Sequence, residues 1–247
     1  MAEAARSLRD PAALAELAAR VVPGALARER RLEVCEAVRD LLPLGGLQRG
    51  TTVATTGSAA TSLTLALAAG PSARGSWTAV VGVPGIGLAA AAELGVALER
   101  LLLVAEPPRR QWSEIVSVAA EGAEVVITRV PSSVHAGELR RVQARLKARG
   151  AVLLVVEAGS DPARYSPELV LRSEVLGWEG IGAGHGRLVA RRVRVETTGR
   201  RIGRPLGADL WLPAADGAVA EAPPPIATLR RPPSFVGRHP SSTARFR

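Results

Sequence analysis

Cationic chemistry dominates what the side chains of this 247-residue chain can offer. Lysine and arginine together number 32 against 23 acidic residues, a formal charge of +9, and Lys147 is the sole lysine. Schiff-base catalysis and phosphate neutralisation by a loop lysine therefore share one position between them. The stretch from Arg187 to Arg204 holds seven arginines and one acid, Glu196. Within it, Arg191, Arg192, Arg194, Arg200 and Arg201 suit DNA phosphates, because a guanidinium fork donates two hydrogen bonds to one phosphate. The same residues also suit a solvated hairpin face in an arginine-rich chain, and both readings stay open. Aromatic residues make up 3% of the chain, so base stacking has few platforms. Nucleic-acid contact is then expected to run through the backbone and to weaken with salt.

Other reactive types are sparse. His135, His185 and His239 stand far apart with no carboxylate or thiol at ligand spacing, so no metal site is expected. Cys35 is the one cysteine, which excludes an internal disulfide and a cysteine-cluster metal site. The segment GVPGIG, Gly82 to Gly87, places glycines at its first, fourth and sixth positions rather than at those of a dinucleotide loop, and the following strand run LLLVA offers no acid until Glu106. Ser58 and Ser62 lack a His/Asp pair for hydrolase chemistry.

The elements that must position these residues change along the chain. A composition of 47% hydrophobic and 22% charged residues fits a globular core. Apolar spacing predicts helices over 11–20 and over Ala25–Leu42, the second closed by Pro43, Gly45 and Gly46. Short apolar runs then follow at Thr51–Thr56, Thr78–Val83, Leu101–Ala105, Glu124–Thr128 and Ala151–Val156. Helical segments lie between them at Thr64–Ala69, Leu88–Leu98, Trp112–Ala120 and Ala136–Arg149. Continuous apolar strands separated by helices predict an α/β fold, a parallel sheet covered on both faces. Glu168–Trp178 and Arg187–Thr198 read as two strands joined by the turn GIGAGHG, with a last strand at Ala208–Leu212. Beyond Pro213 periodicity stops, and 223–247 holds six prolines, five arginines and no acid, the composition of a disordered tail. The expected organisation is an N-terminal helical arm over 1–44, a core over 45–213 and a Pro/Arg-rich tail over 214–247. No apolar run reaches the roughly 18 residues of a membrane helix. The N-terminus has no apolar stretch of a secretory signal, so a cytoplasmic location is expected.

The segment LLPLGGLQRGTTVATTGSAATSLTLALAAG, Leu41 to Gly70, resembles the opening of a RecA-type ATPase core: a GGL-x-x-G lead-in, a strand, a phosphate loop and a helix. AAAAELGVALERLLLVAEPP, from Ala89 to Pro108, resembles a later helix–strand segment of that core, and RVRVETTGRRIGRPLGADLWL its final strands. Together these span about Leu41 to Pro213. A working loop reads G-x-x-x-x-G-K-[ST], in which amides cradle phosphate, lysine neutralises it and the hydroxyl holds magnesium. Here it reads GSAATSLT. Gly57 and Thr64 match, but Ser62 stands at the second glycine and Leu63 at the lysine. Val83 stands where the family has its water-activating glutamate, and Thr128 and Arg129 where it has a magnesium-binding aspartate. The resemblance therefore implies a core without ATP hydrolysis and without a cofactor. Read without the resemblance, Gly57 to Thr64 is an ordinary strand-to-helix turn.

A RecA-like core stripped of these residues and followed by a Pro/Arg-rich tail is similar to the ImuA-type mutagenesis accessory family, in its actinobacterial branch. That family, related to the division inhibitor SulA, implies a non-enzymatic adaptor in damage-induced translesion synthesis. Its partners would be an ImuB-type inactive Y-family polymerase relative and an error-prone replicative-type polymerase assembly, with the DNA backbone also within reach. The location implied is cytoplasmic, and nucleoid-associated once assembled. Self-association, as in RecA cores, stays open. Arg230, Arg231, Phe235 and Phe246 of the tail are the expected partner-binding residues, since arginine and aromatic side chains anchor peptide interfaces. Two alternatives remain: a RecA paralogue with residual nucleotide and DNA binding in recombination, and an SOS-regulated inhibitor of cell division.

Overall fold

The computed structural model describes residues 30–157, 166–181, 185–200 and 202–223. Its centre is a nine-stranded sheet. The strands are β3 (Thr52–Gly57), β4 (Thr78–Val81), β5 (Leu101–Val104), β6 (Val125–Thr128), β7 (Val152–Val156), β8 (Leu169–Ile181), β9 (Gly186–Gly199), β10 (Leu206–Trp211) and β11 (Ala220–Glu221). They lie in the order β11-β10-β9-β8-β3-β7-β6-β4-β5. Pairing is parallel from β8 through β3 to β5 and antiparallel from β8 outward to β11. A separate ribbon pairs β1 (Arg31–Glu33) with β2 (Gly46–Gln48). The expected α/β architecture, a mostly parallel sheet flanked by helices with appended antiparallel strands, is present.

The reason is visible in the strands themselves. β4, β6 and β7 are buried at every position, as VLLVV in β7 shows, because helices cover both of their faces. On one face lie α1 (Glu36–Arg39), α2 (Ala60–Ala73) and α3 (Leu88–Glu93), closing a core that includes Val53, Leu63, Leu67, Ile127, Leu154, Leu171, Val193 and Leu210. On the other lie α4 (Trp112–Gly122) and α5 (Ala136–Arg149), whose Trp112, Val116, Leu139, Val142 and Leu146 meet Val126, Leu153 and Val155. Among the described residues, β8 and β9 are covered on one face only and alternate accordingly: Leu171, Ser173, Val193 and Val195 are buried, while Arg172, Glu174, Arg194 and Glu196 are exposed. Among the described residues no helix is long and apolar enough to cross a membrane.

Three expectations need correction. The helix over Ala25–Leu42 is, in its described part, strand β1 followed by the short α1. Leu32 and Val34 are buried with exposed Glu33 between them, a period of two that the mixed spacing of Leu32, Cys35 and Val38 concealed. This stretch is part of the core, because Leu32, Val34, Val38, Leu41 and Leu42 pack in the α2-side cluster. Gly70 makes that possible: a Cβ there would stand 2.5 Å from the carbonyl carbon of Val34, so only glycine lets the chain cross α2 so closely. The helix expected over Leu88–Leu98 stops at Glu93, because Gly95 follows in the left-handed region, and Leu98–Arg100 forms a separate 3₁₀ turn. Regular structure also continues past Pro213. β11 pairs with β10, and Ala222 is buried beside it. The remaining tail, with Arg230, Arg231, Phe235 and Phe246, lies outside the described residues, as do most of the N-terminal arm, Arg201 and His239.

Candidate functional site

The segment with the clearest claim to chemistry is the passage from β3 into α2 at the centre of the sheet. Open α/β sheets bind ligands at the carboxyl ends of their strands, and this passage lies there. Gly57 ends β3 at φ +92, and a Cβ on it would stand 1.9 Å from the Ser173 carbonyl oxygen of β8. Ala60 already begins α2, so only Ser58 and Ala59 connect the two elements. A phosphate loop needs a longer run of free amides. Here the Ser58 amide donates to the Ser173 carbonyl at 3.1 Å and the Ala59 amide to the Ser173 hydroxyl at 3.1 Å. That hydroxyl in turn donates to the Thr56 carbonyl at 2.7 Å, and the Val175 amide donates to the Ser58 hydroxyl at 2.9 Å. β8 thus occupies both amides of the two-residue connection, Ser58 and Ala59.

The remaining positions follow the helix. Ser62, Leu63 and Thr64 fall inside α2 rather than before it. Leu63 is wholly buried in the α2-side core and points away from the loop. The Thr64 hydroxyl donates to the Ala60 carbonyl at 2.8 Å and meets the buried Thr55 hydroxyl at 2.5 Å. Val83 is buried in the same core as Leu63. Thr128 is buried, and its hydroxyl accepts from the Trp112 indole N–H at 3.1 Å. Arg129, beside it, lines a cleft of about 300 Å³ over the head of α2, together with Ser62, Glu157 and Arg191.

Arg191 crosses that cleft. Its Nη2 donates to the Ser62 hydroxyl at 2.7 Å and its Nε to the Leu212 carbonyl at 2.6 Å. The guanidinium carbon also lies 5.1 Å from the centre of the Trp178 ring, a cation–π contact. Burial pushes its pKa below the ordinary arginine value. The side chain is therefore tethered by three groups over the head of α2.

The described members of the five arginines expected to track DNA do not form one surface. Alternation along β9 sends Arg191 to the side of α2 and sends Arg192 and Arg194 to the opposite face. These two share the Asp209 carboxylate, at 2.8 Å from Arg192 Nη2 and 3.0 Å from Arg194 Nε. Burial raises the Asp209 pKa, but the hydrogen bonds from Arg194 and Arg192 outweigh it and leave it below the usual carboxylate value. Arg192 also donates to the Pro223 carbonyl, and Arg200 to the Ser166 carbonyl. Arg201 lies outside the described residues. His135 stands at the N-cap position of α5, exposed and with no capping bond from its side chain, and His185 is exposed near the β8–β9 turn. Gly82 and Gly85 have positive φ in the turn from β4 to α3. Sequence reasoning did not find Ser173, Trp178 or Asp209 as partners in these contacts, because each meets its target across a long separation or a strand pairing.

Comparison with known proteins places this architecture. Residues 40–161, from the connection before β2 past the end of β7, match the MT3502 N-terminal domain family. The chain is also 33% identical over 171 residues to the uncharacterized protein Rv3395c of Mycobacterium tuberculosis, an alignment covering 65% of this chain and 80% of that protein. The matched stretch contains the closed loop, Val83, Thr128 and Arg129, as well as both helices of the α4–α5 layer. The chain belongs to the family of the MT3502 N-terminal domain.

Proposed function

We propose that this chain is a non-catalytic adaptor of damage-induced mutagenesis and translesion DNA synthesis. It would act by holding an ImuB-type inactive Y-family polymerase relative within an error-prone polymerase assembly. One observation supports the non-catalytic half of the reading: the chain's own groups already engage the loop before α2, through Ser173 on the Ser58 and Ala59 amides and Arg191 on the Ser62 hydroxyl. A nucleotide phosphate would have to displace both. The resemblance to RecA-like cores of the ImuA type supplies the cellular role.

Exposed apolar surface supports the docking half. β5 is an edge strand with Leu102, Leu103 and Val104 exposed, and with α4 it frames a groove of about 570 Å³ lined by Leu102, Val104, Ile115 and Val118. An apolar edge of this kind is a template for a partner strand unless something covers it. At the other end of the sheet, Leu176, Trp178, Ile181 and Leu188 are exposed along the β8–β9 hairpin.

The test is capture from DNA-damaged cells, with the full chain beside a version ending at Pro223, which keeps β11 and the carbonyl that Arg192 holds. Proteins retained by each are identified by mass spectrometry. Retention of a Y-family polymerase relative by the full chain alone assigns the contact to the tail, and retention by both assigns it to the core. If neither retains it, the adaptor reading fails. Tight magnesium-dependent ATP binding by the full chain would favour a RecA paralogue, and capture of the division GTPase a division inhibitor.

A further inference from the structure

Arg191, Arg192 and Arg194 of β9 already hold partners, but α5 presents cations of a different kind. Its inward positions are Leu139, Val142 and Leu146. At about 100° per residue, the solvent side then carries Arg140 and Lys147 along one flank and Arg141 and Arg145 along the other. Between the flanks run Gly137, Ala144 and Ala148, all exposed, and a Cβ on Gly137 would meet nothing within 4 Å. Among the described residues, none of these four cations is ion-paired, whereas Arg149 at the helix end meets Glu121 at 3.6 Å. Glu114 and Glu138 line the cleft between α4 and α5 beside Arg141 and Arg145 without closing onto them.

We propose that the exposed face of α5 is a docking surface for the phosphate backbone of duplex nucleic acid. A phosphate ridge would lie along the small residues, with Arg140 and Lys147 on one side and Arg141 and Arg145 on the other. The small stripe lets the ridge approach the helix surface, and the long cationic stems reach over it from both flanks. Arg141 and Arg145 are about 6 Å apart along the helix axis, four residues at 1.5 Å each. A nucleic-acid strand presents a charge about every 3.4 Å, so each guanidinium has a phosphate within reach. The exposed positions of this face offer alanine, glycine and cations, without the aromatic or large aliphatic anchor that a protein interface or a membrane surface uses. No ring on the face can stack a base, which favours the duplex over a single strand. The inference is independent of the adaptor reading: a chain that bound DNA through α5 and captured no polymerase would keep one and lose the other.

The experiment titrates the full chain into a fluorescein-labelled mixed-sequence duplex and follows anisotropy across a series of salt concentrations. The Arg141→Gln/Arg145→Gln variant is expected to lower the slope of log K against log [salt] by about 2, near 0.9 for each lost phosphate contact, and to weaken binding roughly 10- to 100-fold near 0.1 M salt. Arg109→Gln/Arg110→Gln removes two exposed arginines outside this face and is expected to leave the slope unchanged. Unfolding curves that overlay for all three proteins exclude a folding defect as the cause. An unchanged slope in the α5 variant overturns the proposal, and so does an equal loss in the control. Tighter binding to single-stranded dT of equal phosphate number, to phosphatidylserine vesicles or to polyglutamate overturns it in favour of that ligand.

Discussion

If the loop is closed because its lysine position faces the core, restoring the lysine must damage the protein without restoring its ligand. Leu63→Lys tests this directly. Leu63 is fully buried in the α2-side cluster, and a leucine buried to that degree contributes about 1.5–3 kcal/mol. The aliphatic stem of the new side chain recovers part of that. The ammonium decides the outcome, since a buried charge without a partner costs about 3–5 kcal/mol. The buried cluster that Leu63 joins is apolar and carries no charge to pair with it. A total loss of about 4–6 kcal/mol is therefore expected, a large fraction of the 5–15 kcal/mol that holds an ordinary domain together. Equilibrium urea unfolding measures it. The pH dependence gives a second signature. Burial lowers the folded-state pKa of the introduced amine, so between that value and the ordinary lysine value of about 10.4 the unfolded state binds more protons. Stability of the variant should therefore rise with pH through that window relative to the parent. A variant of near-parental stability that binds a fluorescent ATP analogue with magnesium would refute the closed-loop account.

Other contacts at the same place make sharper local predictions. Gly57→Ala puts a Cβ 1.9 Å from the Ser173 carbonyl at positive φ, so β3 and β8 must separate there and the Ser58 and Ala59 amides lose their acceptors. A loss of about 3 kcal/mol or more is expected in urea unfolding, and a loss below about 1 kcal/mol would show that the passage is not held by β8. Arg191→Ala removes the donors to Ser62 and Leu212 and the contact with Trp178, for about 2–3 kcal/mol, with a change in tryptophan emission. Asp209→Asn tests the carboxylate on β10. Its folded pKa lies below the unfolded value of about 4, so its contribution is complete above that value and is lost as pH falls through the folded one. The variant should be less stable at neutral pH and should show a flatter acid limb. Parallel acid limbs would mean that Arg192 and Arg194 do not stabilise the charge.

The sequence made the parallel half of the sheet legible because its strands are uninterrupted apolar runs, each bounded by glycine, proline or charge. α5 was readable to its limits, since apolar residues recur at helical spacing and Gly150 ends the helix in a left-handed conformation. β1 was not, because its few residues fit a helical spacing as well as a strand, and the pairing with β2 that decides between them is tertiary. At the candidate site, the loss of the second glycine and the lysine was visible at Ser62 and Leu63. The closure was not, because Ser173 lies 114 residues from Ala59 and Arg191 lies 129 residues from Ser62. The arginine count misled for a different reason. A tally along β9 adds residues from two faces, and only strand alternation separates Arg191 from Arg192 and Arg194.

That separation bears on where a polyanion would bind. An arginine already sharing a carboxylate must give up a charge-assisted bond, worth about 1.5–3 kcal/mol, before it can serve a phosphate. Arg192 and Arg194 are in this position on Asp209, and Arg191 would leave Ser62, Leu212 and Trp178. Arg141, Arg145 and Lys147 carry no such cost, because water already solvates them and the phosphate releases counterions as it arrives. Density of positive charge in the sequence is thus a poor guide to the binding face, and freedom from existing partners is a better one. By that criterion the two sides of the sheet divide their tasks. Arg191 on the α2 side is committed to Ser62, Leu212 and Trp178, while the exposed cations of α5 on the other side have no ion pair among the described residues.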